Sequence, residues 1–129
     1  MSESILNIAQ QAFAVFVQGW ITGDFQPFLE MLTDEFTFWY PYGNHRGKFT
    51  GQAGKAQMIT KCHEHSKAGD HLTFSLPHHI TSSDTTVMFE FECEGVINQE
   101  SYQGRIVIAL EVTNEKISGF REYFGDVDW

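Results

Sequence analysis

The chain has 129 residues, 42% hydrophobic and 15% aromatic with 12 Phe, and sets 8 Lys and Arg against 17 Asp and Glu, a formal charge of −9. With its few cations scattered among neutral residues, so acidic a chain repels a phosphate backbone or an anionic leaflet, which argues against nucleic-acid and membrane-surface partners. The length suits one domain over residues 1–129, burying roughly 65–70% of the surface its unfolded chain exposes.

No apolar run approaches the ~20 residues that cross a bilayer, and the N-terminus lacks a basic, apolar and small-residue leader pattern. Cys62 and Cys93 fall in different expected elements. They suggest no disulfide framework, so a reducing cytoplasm is the expectation.

Residues 3–22 place Ile5, Ile8, Ala9, Ala12, Phe13, Phe16 and Trp20 at helical spacing, the stripe of an amphipathic helix. Gly23 stops it. Asp24 then caps a short helix that tolerates Pro27 in its first turn and buries Phe28, Leu29 and Leu32. Phe36–Tyr40 (FTFWY) reads as a strand ended by Pro41 and Gly43, and residues 41–51 as a polar, glycine-rich loop. A third helix is expected at about 52–67, with Ala56, Ile59, Cys62 and Met58 inward and Gly69–Asp70 closing it.

The rest reads as strands. His71–Ile80 is broken by Pro77, the mark of an edge or a bulge. Thr86–Ile97 alternates Val87, Phe89, Phe91 and Cys93 against Met88, Glu90, Glu92 and Glu94. Asn98–Gln99 turns the chain into Tyr102–Val112, and Asn114–Glu115 into Lys116–Trp129. That last stretch, KISGFREYFGDVDW, sets Ile117, Gly119, Arg121, Tyr123 and Gly125 on one face. Phe120, Glu122 and Phe124 fall on the other. Three helices followed by a four-strand antiparallel meander is an α+β architecture.

The succession GDF, LTDEFTF, WYPYG, glycine loop, helix, long strands and FREYF resembles the nuclear transport factor 2-like superfamily over almost the whole chain. That superfamily includes ketosteroid isomerases, limonene epoxide hydrolases and SnoaL-like polyketide cyclases. The resemblance implies a cystatin-like α+β roll in which a curved, mainly antiparallel sheet wraps three helices into a cone. It also implies an apolar interior as ligand site, and a homodimer. The general base and oxyanion donors of the isomerases are answered here by Tyr40, Phe16 and Ile108, so that mechanism is not retained. The Arg and second Asp of the epoxide hydrolases have no counterpart in EFECEG. An acid on the last strand, as in the hydrolases and cyclases, is matched by Glu122.

Glu122 is therefore the first catalytic candidate. Between Phe120 and Phe124 on a dry concave face its pKa should rise, which suits proton transfer in enolisation, cyclisation or dehydration. The alternative is that it faces outward or pairs with Arg121, Arg105 or His45. Tyr40 is the second candidate, a phenol able to hydrogen-bond a substrate oxygen, or simply wall; Trp39 should point the other way.

Phe16, Trp20, Phe89, Phe91, Ile108, Phe120 and Phe124 are expected to line the cavity, each with an ordinary core role as the alternative. Asp126 shares the parity of Glu122 and falls at the rim or in solvent. His45 in the glycine loop is a proton shuttle at the cavity mouth or an exposed loop residue.

No metal and no cofactor is expected. His63 and His65 diverge by about 200° on a helix, and His78 and His79 point to opposite faces of a strand. Zinc spacing, a phosphate loop and a nucleophile elbow are all missing from the sequence. Cys62 reads as core. Glu90, Glu92 and Glu94 read as a solvated stripe, with an anion-repelling surface as the alternative; if dimers form across the outer face of the sheet, basic residues such as Arg105 answer them.

Two functions of different class remain. One is a cofactor-independent acid–base enzyme (isomerase, cyclase, dehydratase or hydrolase type) on a small apolar or polyketide-like carbonyl compound. The other is a non-catalytic ligand-binding or dimerisation module. A domain plugged by its own rings, holding no ligand, is the third possibility.

Overall fold

The first helix, α1 (Ile5–Thr22), begins where Ser4 Oγ accepts the Asn7 N–H at 3.1 Å. It buries Ile8, Ala9, Ala12, Phe13, Phe16 and Trp20 on one stripe. It ends at Gly23, whose φ of 83° lets its N–H reach Gly19 O at 2.8 Å. The computed structural model describes residues 4–42 and 46–126.

One helical turn follows, α2 (Gln26–Leu29), with Pro27 at its start and Asp24 Oδ1 accepting the Gln26 N–H at 3.0 Å. Leu32, expected in that helix, instead opens β1 (Leu32–Tyr40). The expected loop contains a short strand, β2 (Gly47–Phe49), antiparallel to β1. Three residues are too few to show a period of two. α3 (Gly51–Ala68) buries Gly54, Met58 and Cys62, spaced four apart, and leaves Ile59 half-buried. Ala56, expected inward, is exposed because that four-residue ridge sets which face meets the sheet.

The edge strand is split into β3 (His71–Phe74) and β4 (His79–Ser82), as Pro77 foretells. Both pair antiparallel with β5 (Thr86–Ile97), and Leu76 stands 88% exposed at the break. β5 turns through Asn98 and Gln99 into β6 (Glu100–Thr113), which turns through Asn114 and Glu115 into β7 (Lys116–Asp126). All four turn residues have φ between 52° and 67°, the left-handed pairs of tight hairpins.

The sheet runs β2-β1-β7-β6-β5-β3. Every pairing is antiparallel except β1 with β7. The result is an α+β cone in which a mixed, largely antiparallel curved sheet packs on three helices.

Strand register is interrupted twice, between Leu32 and Thr37 of β1 against β7 and between Glu111 and Val112 of β6 against β7. The β6–β7 register steps from Glu111↔Gly119 to Val112↔Ile117, leaving Ser118 as the extra residue of a bulge. Ile117, expected on the outer face, is therefore fully buried along with Phe120. Past the bulge the even residues face inward. The core forms where α1 meets the sheet: Phe13 stacks on Phe89 at 4.3 Å, and Phe74 on Phe91 at 4.8 Å.

On the outer face Trp39 lies under Lys48 Nζ at 4.4 Å, with the Arg121 guanidinium at 6.0 Å. Arg105 Nε reaches Glu92 at 3.4 Å, and His78 reaches the same carboxylate at 3.2 Å. Within the acidic stripe Glu92 is thus met by Arg105 of its own chain, its cross-strand partner. Among the described residues, no helix is long and apolar enough to cross a membrane.

Candidate functional site

The inner face of the sheet carries a row of side chains at one level. Glu122 faces Ile108 across β6, and Ile108 faces Phe89 across β5. On the other side Trp39 pairs with Arg121, which brings Tyr40 level with Glu122 on the inner face. The two catalytic candidates, 82 residues apart in the chain, are thereby neighbours.

Glu122 keeps part of its surface open, yet burial pushes its carboxyl up to about 8. Among the described residues it has neither a hydrogen-bond nor an ion-pair partner. The expected alternatives go elsewhere: Arg121 to Glu111 at 3.7 Å, Arg105 to Glu92. Burial holds the Tyr40 phenol well above its ordinary pKa, reinforced by the charge of Glu122 and then by Cys62 and Tyr102. The hydroxyl therefore remains a donor at any physiological pH. Burial pushes the Cys93 thiol to about 12, with Glu122 adding to the rise and the backbone of Gly104 opposing it.

Tyr102 completes this group and was not singled out from the sequence. Its hydroxyl lies over Gly104, where an added Cβ would come within 2.6 Å of it. Gly104 pairs with Cys93 across β5 and with Asp126 across β7. Its inward parity on β6, two residues before a glycine, was the available signal.

Beneath Tyr40 the helices and sheet enclose a cavity of about 20 Å³, room for a single water-sized molecule. Its wall includes Phe16, Trp20, Phe120 and Tyr40, together with Cys62 and His65 from α3. Phe124 stands edge-on to Tyr40 at 5.9 Å.

Phe89, Phe91 and Ile108 are placed differently from the expectation. All three are at most 2% exposed, and the two rings are stacked against Phe13 and Phe74 in the solid core instead of lining a space. Two wider hollows of about 440 and 600 Å³ lie over Thr73, Glu94 and Gln103, and neither includes Glu122. His45 lies outside the described residues. The backbone of Asp126 pairs with Gly104, and its side chain likewise falls outside the description.

The arrangement is an α+β cone whose inner face joins an acid with no hydrogen-bond or ion-pair partner among the described residues to a phenolic donor. Residues 13–120 match the family model of the SnoaL-like domain, and the chain belongs to that family, within the NTF2-like superfamily.

It is similar to an NTF2-like protein from Anabaena variabilis ATCC 29413 at 36% identity and a TM-score of 0.83, over 98% of this chain and 95% of that one. It shares its fold with a Bacillus subtilis protein presumed to be an isomerase (22% identity, TM-score 0.80, covering 95% and 90%). The same holds for an LEH-like epoxide hydrolase from M. tuberculosis (18% identity, TM-score 0.68, covering 92% and 84%). No curated protein matches the chain.

Proposed function

We propose that this protein is a cofactor-independent acid–base enzyme acting on a small apolar carbonyl compound. Glu122 moves the proton and Tyr40 hydrogen-bonds the carbonyl oxygen. The reading is carried by one observation: a carboxyl on the inner face with no partner among the described residues, raised by burial to about 8, next to a phenol that stays protonated. At pH 7 such a carboxyl is mostly protonated, with about a tenth ionised, so both acid and base forms are present.

The ionised form takes a proton from the carbon beside the carbonyl. The Tyr40 hydroxyl stabilises the resulting enolate oxygen, and the proton returns to the same or another carbon. Isomerisation, ring closure and elimination all begin with that step.

The test is deuterium exchange at the carbon next to the carbonyl of cyclohexanone, followed by NMR in D₂O. Wild-type protein should accelerate exchange above buffer, and Glu122→Gln should bring it back to background with the fold intact. Equal rates in the two proteins would remove the catalytic role.

The absence of Glu122 from the cavity wall favours a second reading in which the cone holds a ligand without turning it over. Native mass spectrometry that finds a bound small molecule, alongside no exchange activity, would select it. In either case two chains would pair through the outer face of the sheet, where Tyr123 stands 37% exposed; sedimentation equilibrium reads that state directly.

A further inference from the structure

The helical side of the cavity holds a group that the Glu122 reading leaves unused. His65 lies in the last turn of α3 and forms part of the cavity wall beside Trp20, Lys61 and Cys62. Its Nδ1 is 2.7 Å from Asp70 Oδ2. The Asp70 side chain is only 2% exposed, whereas that of His65 is 28% exposed and reachable from outside.

Asp70 is itself fixed from two directions. Its Oδ1 accepts the Asn98 N–H at 2.8 Å, and its own N–H donates to His65 O at 3.0 Å. The Trp20 ring, 4.5 Å away and tilted by 48°, closes the other side of the imidazole. An ionised carboxylate only accepts, so the neutral ring carries its proton on Nδ1. Nε2 is then the ring nitrogen with a lone pair to offer.

A base oriented by a buried carboxylate, set in an aromatic wall, is more than a helix terminus requires. We propose that His65, positioned by Asp70, binds and deprotonates a weakly acidic aromatic hydroxyl compound, a phenol, in this cavity. The ring of the phenol meets Phe16, Phe25 and Phe120, and its oxygen meets Nε2. In the step, the ligand O–H bond breaks and an Nε2–H bond forms. Phenolate and imidazolium result, and nothing is oxidised or reduced. Asp70 offsets the charge gained by the ring, and the Lys61 ammonium on the same wall offsets the charge left on the oxygen.

At about 20 Å³ the resting cavity does not hold a benzene ring, so binding displaces wall side chains. The inference takes from the preceding section only the use of the cavity by a ligand. It does not depend on Glu122.

The test uses 4-nitrophenol and the full chain, at a pH where most of the free compound is un-ionised. Wild-type protein should shift the absorbance towards nitrophenolate, saturably. His65→Gln should cut the bound nitrophenolate about tenfold or more. Asp70→Asn should lower the ionised fraction of bound compound without abolishing binding, a split that mere loss of structure does not produce.

If His65→Gln fails to fold, the ¹⁵N resonances of wild-type His65 decide: movement of Nε2 towards its protonated value on adding nitrophenol supports the assignment. Unchanged His65 resonances overturn it, as do an equal ionised fraction in His65→Gln and a lack of saturable binding by both the wild type and a cavity-enlarging Met58→Ala variant. Ketone exchange and the nitrophenol shift are separate readouts, so either reading fails without the other.

Discussion

Tyr40 stands beside Glu122 because β1 runs parallel to β7, with Trp39 in register with Arg121. One step further, both side chains turn inward, and the charge of Glu122 contributes to the raised pKa of the phenol. Acid and donor thus sit on adjacent rigid strands, where packing on both sides holds their geometry. Four consequences are open to measurement.

The Glu122 carboxyl titrates near 4.5 when free and at about 8 in the fold. Between those values the folded state holds a proton that the unfolded chain has released, so stability falls as pH rises through the window. Above it the full penalty applies, at most about 5 kcal/mol for a shift of this size. Denaturant unfolding should therefore show Glu122→Gln gaining on wild type from pH 5 to pH 9. A parallel pH dependence in the two proteins would place the acid in water.

Tyr40→Phe deletes a hydroxyl and keeps the ring contacts with Phe38 at 5.1 Å and Phe124 at 5.9 Å. Stability should move by less than about 1 kcal/mol. Ketone exchange should slow about 10²-fold, the usual cost of losing an oxyanion donor. A variant as fast as wild type would make the phenol part of the wall and nothing more.

Gly54 is where α3 touches the sheet. A Cβ there would collide with the carbonyl oxygen of Phe36 and approach Phe49 O to 2.8 Å. Both obstacles are backbone and cannot rotate away. Gly54→Ala should lose about 3 kcal/mol or more. The neighbouring exposed Ala56 should accept Ser within about 0.5 kcal/mol. Thermal melts of the pair give the contrast.

Both cysteines are buried and unpaired, and burial holds each thiol at about 12. Neither should react with a thiol reagent at pH 8 while the protein is folded, since the thiolate is the nucleophile. Two equivalents should react after denaturation. Prompt labelling of native protein would show that the inner face opens to solvent far more than its packing implies.

Much of the fold was legible from local pattern. The apolar stripe of α1, the Pro77 break and the two Asn-led turns each follow from dihedral preference or periodicity within a few residues. Where reading stopped, the cause was a missing local signal. β2 is three residues long. The bulge at Ser118 reverses parity, and Gly119 beside it does not by itself say where or whether a register step falls, so alternation alone places Ile117 on the wrong face. Among the site residues the inward turn of Glu122 could be read from alternation. Tyr102 had only its inward parity as a signal, and the alliance of His65 with Asp70, five residues on, depends on how the chain leaves α3 at Gly69.

The amino-acid order alone determined most of the elements, the shared face of Phe120, Glu122 and Phe124, and the α+β class, since these rest on backbone sterics and on which residues water rejects. Only the assembled molecule decided that β1 lies parallel to β7, that Arg105 is taken up by Glu92, and that Phe89 and Phe91 fill space instead of bordering it. Strand register and ring packing are settled by contacts between segments tens of residues apart, and no local preference encodes which of several apolar faces will meet.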